Sequence, residues 1–234
     1  MTPLELAQKI DHTLLKPEAT EQDILKICRE AATHQFFSVC VNPYWVSTAK
    51  SALSGTKVAV CAVAGFPLGA NKSTLKATEA EQIVQDGGLE VDMVLNVGRL
   101  KERNFRAVEE DIATVRKAIG SAITLKVIIE SALLTDDEKR EAAKLVLATG
   151  SNFVKTSTGF NPAGGATVAD IELLHSVVAG KAKVKASGGI RNLATTLAMI
   201  KAGADRIGAS AGVAILEELT KGESGRGEGV ASGY

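Results

Sequence analysis

The sequence predicts an α/β protein, and within that class a (β/α)8 TIM barrel with a short extra N-terminal helix and a flexible C-terminal tail. Eight short, β-rich apolar segments alternate with longer amphipathic segments, and after the first strand their spacing averages roughly 25–30 residues, the length of one βα unit. This alternation indicates parallel strands, because parallel neighbours need a crossover helix. An open doubly wound sheet is the alternative, but its usual GxGxxG signature after the first strand is absent.

Short apolar runs define the strands, and amphipathic spacing defines the helices between them. In chain order, the predicted strands are Ile10–Leu15, which is weakly marked, then Phe36–Val41, Lys57–Val63, Glu90–Asn96, Leu125–Glu130, Asn152–Thr156, Lys183–Ser187 and Asp205–Ala209. The predicted helices are Glu21–Thr33, Pro43–Leu53, Leu75–Asp86, Phe105–Ile119, Asp136–Ala148, Val168–Val178, Leu193–Ala202 and Val213–Leu219.

Residues 1–220 are predicted to form a single domain, because no linker or low-complexity block interrupts them. The last fourteen residues, 221–234 (KGESGRGEGVASGY), contain five glycines and almost no apolar side chain. Burial of so little apolar surface cannot offset the entropy lost on ordering. We therefore expect a flexible tail, which ends on Tyr234.

Composition excludes several classes of partner. The chain has 27 basic and 27 acidic residues, and this balance argues against a dedicated nucleic-acid binder. No apolar run reaches the ~18 residues that span a bilayer, and the first residues are too charged for a secretory signal. The three cysteines show no CxxC spacing, which favours reduced thiols and a cytoplasmic location.

Four charged residues lie inside apolar strands: Asp92 in VDMVL, Lys126 in LKVII, Lys155 in FVKTS and Lys185 in VKASGG. Side chains alternate along a strand, and the apolar neighbours of Lys185 suit the helix side, so its side chain is expected to point into the barrel. An unpaired buried charge costs several kcal/mol, so such residues need a partner or a purpose. The alternative is that each is a solvated charge at a strand edge or barrel rim.

Two lysines close together have a specific chemical use. Each positive charge depresses the pKa of the other, and burial adds to this effect. A lysine that is neutral near pH 7 can attack a carbonyl and form a Schiff base, while its neighbour stays charged. A carboxylate such as Asp92 can then move a proton, directly or through water.

Glycine-rich turns follow three consecutive predicted strands, as Ser-Thr-Gly, Ser-Gly-Gly and Gly-Ala-Ser. Backbone N–H groups in such turns can approach an anion closely, and the turns after strands seven and eight are the usual phosphate site of barrel enzymes. The candidate phosphate ligands are Gly159, Gly188, Gly189, Arg191, Gly208 and Ser210. The alternatives are that these glycines only form turns and that Arg191 is a solvated residue at a helix start.

Metal-dependent catalysis is not predicted. His12, His34 and His175 form neither an HxH nor an HExxH pattern, so we predict no metal and no cofactor. Cys40 and Cys61 lie in apolar strands, where cysteine behaves as a small hydrophobic residue. Cys40 is nevertheless expected near the barrel mouth, because VCVN ends a strand.

The motifs IDHTLLKP, VCVNP, GFPLG, EVDMVLNVG, KVIIE, FVKTSTGF, VKASGGIR and RIGAS together resemble the deoxyribose-phosphate aldolase family, over roughly residues 8–220. The resemblance implies a metal-free class I aldolase that cleaves 2-deoxy-D-ribose 5-phosphate to D-glyceraldehyde 3-phosphate and acetaldehyde. It also implies a small-molecule sugar-phosphate partner and a homo-oligomer, either a dimer or a tetramer.

The same resemblance assigns roles to individual residues. Lys155 matches the Schiff-base lysine, Lys185 the lysine that lowers the pKa of that nucleophile, and Asp92 the proton relay. The remaining matches are Lys126 as a supporting residue, Asp11 and Thr13 near the substrate, the six phosphate candidates, and Tyr234 as a tail residue that assists proton transfer. Cys40 is a further substrate-binding candidate, because of its place at the end of its strand and not because of the resemblance. Phe160 departs from the pattern, because some members carry a lysine there.

Two other functions remain open at this point. Another lysine-dependent barrel, such as a transaldolase-like or sugar-acid aldolase, would share the Schiff base but should lack the KASGGIR arrangement. A barrel that only binds phosphosugars is a different class, and binding alone gives no reason to bury paired lysines.

Overall fold

The computed structural model of the chain describes residues 1–227 and contains a closed barrel of eight parallel strands. Each strand pairs with the next in chain order, and β1 closes the barrel against β8, so the predicted (β/α)8 fold is confirmed. The strands are β1 Ile10–Leu14, β2 Ser38–Val41, β3 Ala59–Ala64, β4 Glu90–Val94, β5 Thr124–Ile128, β6 Phe153–Lys155, β7 Lys183–Ser187 and β8 Arg206–Ala209.

Helices alternate with the strands around the barrel. They are α1 Pro3–Ala7, α2 Glu21–His34, α3 Val46–Ala52, α4 Ser73–Gln85, α5 Val97–Lys101, α6 Phe105–Ile119, α7 Asp136–Ala148, α8 Val168–Val178, α9 Leu193–Lys201 and α10 Gly212–Gly227. Short 3-10 turns, Pro43–Trp45 and Ser131–Leu133, precede α3 and α7. None of the helices described in residues 1–227 combines the length and apolar character needed to cross a membrane.

Local sequence signals fix several helix starts. The side chains of Thr2, Thr20 and Thr135 each accept a hydrogen bond from the backbone three residues later, and an acidic residue at that position reaches back to complete a capping box. The extra N-terminal helix is therefore present as α1. Helix α6 buries residues at helical spacing on one face, as its amphipathic pattern predicts.

The structure differs from the prediction at three helices. The helix expected over residues 43–53 is a 3-10 turn that continues as α3, and α5 was not predicted. The last helix, expected to end at Leu219, continues to Gly227, so residues 221–227 of the expected tail are helical. Tyr234 lies outside the described residues.

The apolar core lies between the strands and the helices. Val91 and Met93 are fully buried in this layer, and Asp92 between them points to the barrel interior. A second, small apolar cluster of Leu15, Cys40, Cys61 and Val63 lies apart from the main core, with Phe66 packed against it. The barrel interior therefore holds this cluster beside a set of charged side chains.

Candidate active site

The carboxylate of Asp92 is the centre of the charged cluster. Nζ of Lys155 and Nζ of Lys185 each lie 2.7 Å from its Oδ2, and Nζ of Lys126 lies 2.9 Å from its Oδ1. Asp92, Lys126 and Lys185 are fully buried, and Lys155 is 3% exposed. The structure thus brings together the four charges that the sequence placed in separate strands.

Strand register explains this convergence. Asp92 is the partner of Lys126 across β4 and β5, and Lys155 is the partner of Lys185 across β6 and β7. Partners in a parallel sheet project to the same face, so each pair points into the barrel together. Closure of the barrel then brings the two pairs within reach of one carboxylate.

A second layer of charge lies next to this cluster and was not predicted as part of the site. The guanidinium of Arg206 donates hydrogen bonds to Asp11, with Nε 2.9 Å from Oδ1, and to Glu90, with Nη2 2.9 Å from Oε2. Lys185 lies 2.5 Å from Asp11 Oδ2, and Lys126 lies 2.5 Å from Glu90 Oε2. Asp11, expected near the substrate, is fully buried in this layer, where Ser38 also donates to it at 2.7 Å.

These contacts keep most of the cluster charged. Burial acts to raise the pKa of Asp92, but Lys126, Lys155 and Lys185 outweigh it and hold that pKa well below its ordinary value. Burial acts to lower the pKa of Lys185, but Asp11 and Asp92 outweigh it, so the pKa is raised. The pKa of Lys126 is likewise raised, because its carboxylate neighbours outweigh burial.

The charge count of the whole network points to one lysine. The network contains four basic side chains, Lys126, Lys155, Lys185 and Arg206, and three carboxylates, Asp11, Glu90 and Asp92. Lys126, Lys185 and Arg206 each pair with two carboxylates, whereas Lys155 pairs with one. The network becomes electrically neutral when Lys155 loses its proton, and a neutral amine is a nucleophile.

Lys155 also reaches a cavity of about 330 Å³ at the carboxyl ends of the strands. This mouth cavity is lined by Thr13, all six predicted phosphate residues, Ser187, Thr158 and Phe160. Asp92, Lys126, Lys185, Asp11 and Cys40 are not among its lining residues, and Cys40 is fully buried. A neighbouring cavity of about 550 Å³ between β1, α2 and α10 contains none of the barrel lysines.

The cavity wall opposite Lys155 is suited to an anion. Gly188 has φ of +86°, and a Cβ there would lie 2.9 Å from Cα of Gly165, so the turn requires glycine on both counts. Helix α9 follows this turn, but its first N–H groups already have partners, since Leu193 donates to Glu218 and Thr195 donates to the side chain of Asn192. The glycine-rich loop itself therefore supplies the candidate N–H groups.

Two residues that shape the cavity were missed by the sequence analysis. Glu130 accepts hydrogen bonds from Thr158, at 3.1 Å from the backbone N–H and 2.5 Å from the hydroxyl, and so holds the loop after β6. Lys16 lines the mouth cavity and forms no ion pair with any residue of the described part of the chain. Phe160, 48% exposed, packs edge-on against Phe66 with ring centroids 5.2 Å apart.

Fold and site together define a (β/α)8 barrel protein with a lysine-centred site beneath a glycine-lined cavity. The sequence matches the family described as DeoC/LacD family aldolase over residues 6–218, and the chain belongs to this family. The resemblance inferred from the motifs is therefore confirmed.

Several curated relatives share the name deoxyribose-phosphate aldolase. The deoxyribose-phosphate aldolase of Clostridium tetani is 52% identical over 216 residues, which are 92% of this chain and 99% of the relative. Deoxyribose-phosphate aldolase 1 of Oceanobacillus iheyensis is 56% identical over 214 residues, which are 91% of this chain and 96% of the relative.

Solved structures agree in fold. An aldolase called QR15 superposes with a TM-score of 0.89 and 40% identity, over 94% of this chain and 97% of the other. The deoxyribose phosphate aldolase of Aeropyrum pernix, described as having a unique tetrameric structure, gives 0.87 and 32%, over 94% and 92% of the two chains.

Proposed function

We propose that this chain is a class I aldolase that cleaves 2-deoxy-D-ribose 5-phosphate reversibly to D-glyceraldehyde 3-phosphate and acetaldehyde. The observation that supports the chemistry is Lys155, which alone among the three barrel lysines lines the mouth cavity and pairs with a single carboxylate. The name shared by relatives above 50% identity supports the substrate. That name also disfavours transaldolase-like barrels and a barrel that only binds phosphosugars.

The reaction begins when the neutral amine of Lys155 attacks C1 of the open-chain sugar. Water leaves, and the resulting iminium withdraws electrons from C2. A base removes the C3 hydroxyl proton, the C3–O electrons form the new carbonyl, and the C2–C3 bond breaks toward the iminium. The C2–C3 bond is the one that breaks, because only its electrons can settle on the carbon next to the iminium.

Asp92 and Lys185 are the proposed proton relay for this step. Lys155 and Lys185 each donate a hydrogen bond to Oδ2 of Asp92, and a water that enters from the mouth cavity would connect this relay to the C3 hydroxyl. Glyceraldehyde 3-phosphate departs, C2 of the enamine takes a proton, and hydrolysis releases acetaldehyde and Lys155. Lys126 supports the relay by holding the other oxygen of Asp92, and Tyr234 is the proposed assistant at C2.

The phosphate is proposed to bind at the glycine-lined wall. Supporting residues are Gly159, Gly188, Gly189, Arg191, Gly208 and Ser210, which all line the mouth cavity. Thr13 of β1 lines the same cavity and is the proposed contact for a substrate hydroxyl. Asp11 and Cys40 are buried away from the cavity wall, so we propose that they shape the site from behind.

Borohydride reduction tests the central step. Incubation with acetaldehyde and borohydride should replace one amine hydrogen by an ethyl group, a net gain of C2H4, and peptide mapping should place it on Lys155. An adduct located on another lysine, or an unmodified protein that still cleaves the substrate, would contradict the assignment. A substrate panel of deoxy and 2-hydroxy sugar phosphates then separates this activity from those of other lysine-dependent aldolases.

We also propose that residues 1–220 form the single catalytic domain and that the protein is cytoplasmic. The tail expected over residues 221–234 begins inside α10, and residues 228–234 lie outside the described part of the chain. Three cysteines without a disulfide within residues 1–227 support a reducing compartment. A homo-oligomer, dimer or tetramer, is supported by the tetrameric relative from Aeropyrum pernix. Light scattering coupled to size-exclusion chromatography gives the assembly mass that decides between them.

A further inference from the structure

Two cysteine thiols lie side by side in the barrel interior, next to the central carboxylate. Cys40 of β2 and Cys61 of β3 are register partners on neighbouring strands, and both are fully buried. Sγ of Cys61 lies 3.2 Å from Oδ1 of Asp92. One ligand atom from each of Cys40, Cys61 and Asp92 can be chosen so that all three lie within 4.8 Å of one another.

This set of atoms suits a thiophilic divalent cation. Zinc–sulfur bonds are about 2.3 Å long, so two sulfurs on a tetrahedral zinc lie about 3.8 Å apart. The observed spacing therefore requires only a small closing movement of side chains. Two thiolates and one carboxylate leave the fourth position for water, and soft sulfur ligands select zinc or cadmium over magnesium or calcium.

Charge balance allows such an ion beside three lysines. When a divalent cation enters, the two thiol protons leave, so the net charge of the barrel interior is unchanged. Nζ of Lys126 lies 3.4 Å from Sγ of Cys61, where an ammonium group stabilises a thiolate. No further residue is needed for Cys40 and Cys61 to bind the cation as thiolates.

An entry path exists from the mouth of the barrel. Cys40 is the register partner of Thr13, and Thr13 lines the mouth cavity. Leu15 and Val63 cover the thiols, and Phe66 packs against this apolar cluster. Leu15 belongs to this cluster and also lines the mouth cavity, so the thiols lie directly behind the cavity wall.

We propose that Cys40, Cys61 and Asp92 form a binding site for a thiophilic divalent cation, and that occupancy inhibits the enzyme. The bound ion would hold Asp92 Oδ1 and draw the carboxylate away from Lys155 and Lys185. The inhibitory part rests on the proposed aldolase function, whereas the binding part does not.

Cadmium titration tests binding directly. Cadmium chloride added to the reduced protein should produce ultraviolet charge-transfer absorption that saturates at one equivalent. Cys40→Ser and Cys61→Ser should each lose this signal, and Cys28→Ser, a matched change at a buried cysteine in α2, should keep it. Cys40→Ala and Cys61→Ala give a second pair should a serine variant fail to fold. A signal retained in the Cys40 and Cys61 variants would overturn the proposal.

Inhibition by zinc tests the consequence. Zinc should inhibit the wild type reversibly, and a chelator should restore activity. Each variant is compared with its own zinc-free rate. Loss of either thiol removes a direct ligand and should weaken inhibition by about 10–100-fold, at least the cost of losing an outer-shell partner. Cys28→Ser should stay as sensitive as the wild type. Equal inhibition of all variants would overturn the inhibitory mechanism. Cadmium absorption without any aldolase activity would instead reject the proposed function and leave the site standing.

Discussion

The molecule buries lysines in two regions, and the two differ in how their charges are balanced. Between α4 and α6, Lys76 is fully buried and pairs with one carboxylate, Asp111, at 2.6 Å, while Nζ also donates to the carbonyl of Val94 at 2.9 Å. In the barrel interior, four basic groups share three carboxylates. Lysine burial alone therefore does not identify a reactive site, whereas surplus positive charge beside a cavity does.

Replacement of the two kinds of lysine should give opposite phenotypes. Lys155→Met should lower kcat/KM by about 10⁴-fold or more, because it removes the nucleophile. The free energy of unfolding of Lys155→Met should change little, because the variant leaves three basic groups for the three carboxylates of the network. Steady-state kinetics and urea unfolding measure the two effects on one preparation.

Lys76→Met is the comparison variant. It leaves Asp111 buried without its cation, so the free energy of unfolding should fall by about 3–5 kcal/mol. The folded fraction should keep kcat/KM within about threefold of the wild type, since Lys76 touches no atom of the proposed site. A severe kinetic defect in folded Lys76→Met would break the contrast between the two regions.

Lys185→Leu should give the next largest effect. It removes one positive charge and leaves three basic groups with three carboxylates, so Lys155 no longer carries the surplus. We expect kcat/KM to fall by about 10²–10³-fold, because the relay loses one of the two lysines that hold Oδ2 of Asp92. The pH–rate profile should change shape, because a titratable group of the relay is gone. An unchanged pH–rate profile would contradict this view of Lys185.

The sequence identifies those site residues that a single segment of the chain is enough to mark. A charge inside an apolar segment is visible from that segment alone, and this applied to Asp92, Lys126, Lys155 and Lys185. Glu90 and Arg206 are also charges in strands, but each is the first residue of its strand and resembles a solvated end. The burial of Glu90 and Arg206 depends on closure of the whole barrel, which cannot be read from any one segment of the sequence.

The other omissions also have physical causes. Helix α5 has five residues, too few to show a helical period. Lys16 and Glu130 lie in loops, and their positions relative to the cavity depend on which strands become neighbours. Asp11 was assigned to the substrate from the motif, but its position in the structure follows from its ion pairs with Arg206 and Lys185.

The pH dependence of stability should separate the two regions again. The pKa of Asp11 is lowered because Lys185 and Arg206 outweigh its burial, so it adds stability above its ordinary value of 3.8 and loses it below. Burial raises the pKa of Asp111, so its contribution is present below 3.8 and is lost as pH rises through the raised pKa. The two carboxylates therefore act on stability with opposite signs.

Two asparagine variants measure these signs. Below pH 3.8, Asp11→Asn should flatten the rise of unfolding free energy with pH, by at most about 1.4 kcal/mol per pH unit. Just above 3.8, Asp111→Asn should make that rise steeper, because a negative contribution is removed. Urea midpoints collected across this range test both, and slopes that change in the same direction would contradict the difference in pKa shifts.

The smallest effect is expected at Lys16, a third kind of lysine. It is exposed and forms no ion pair with any residue in the described part of the chain. Lys16 lines the mouth cavity together with Phe160 and Arg191, so Lys16 can supply a second cation to the substrate phosphate. Lys16→Met should raise KM for 2-deoxyribose 5-phosphate by about 5–10-fold, the cost of one exposed charge-assisted contact, and leave kcat unchanged. KM for unphosphorylated 2-deoxyribose should not change, because that substrate has no phosphate to contact.

Lys26→Met, at an exposed lysine of α2 outside the mouth cavity, is the matched control and should leave both KM values unaltered. Equal losses for the two substrates would mean that Lys16 shapes the loop and does not bind the phosphate.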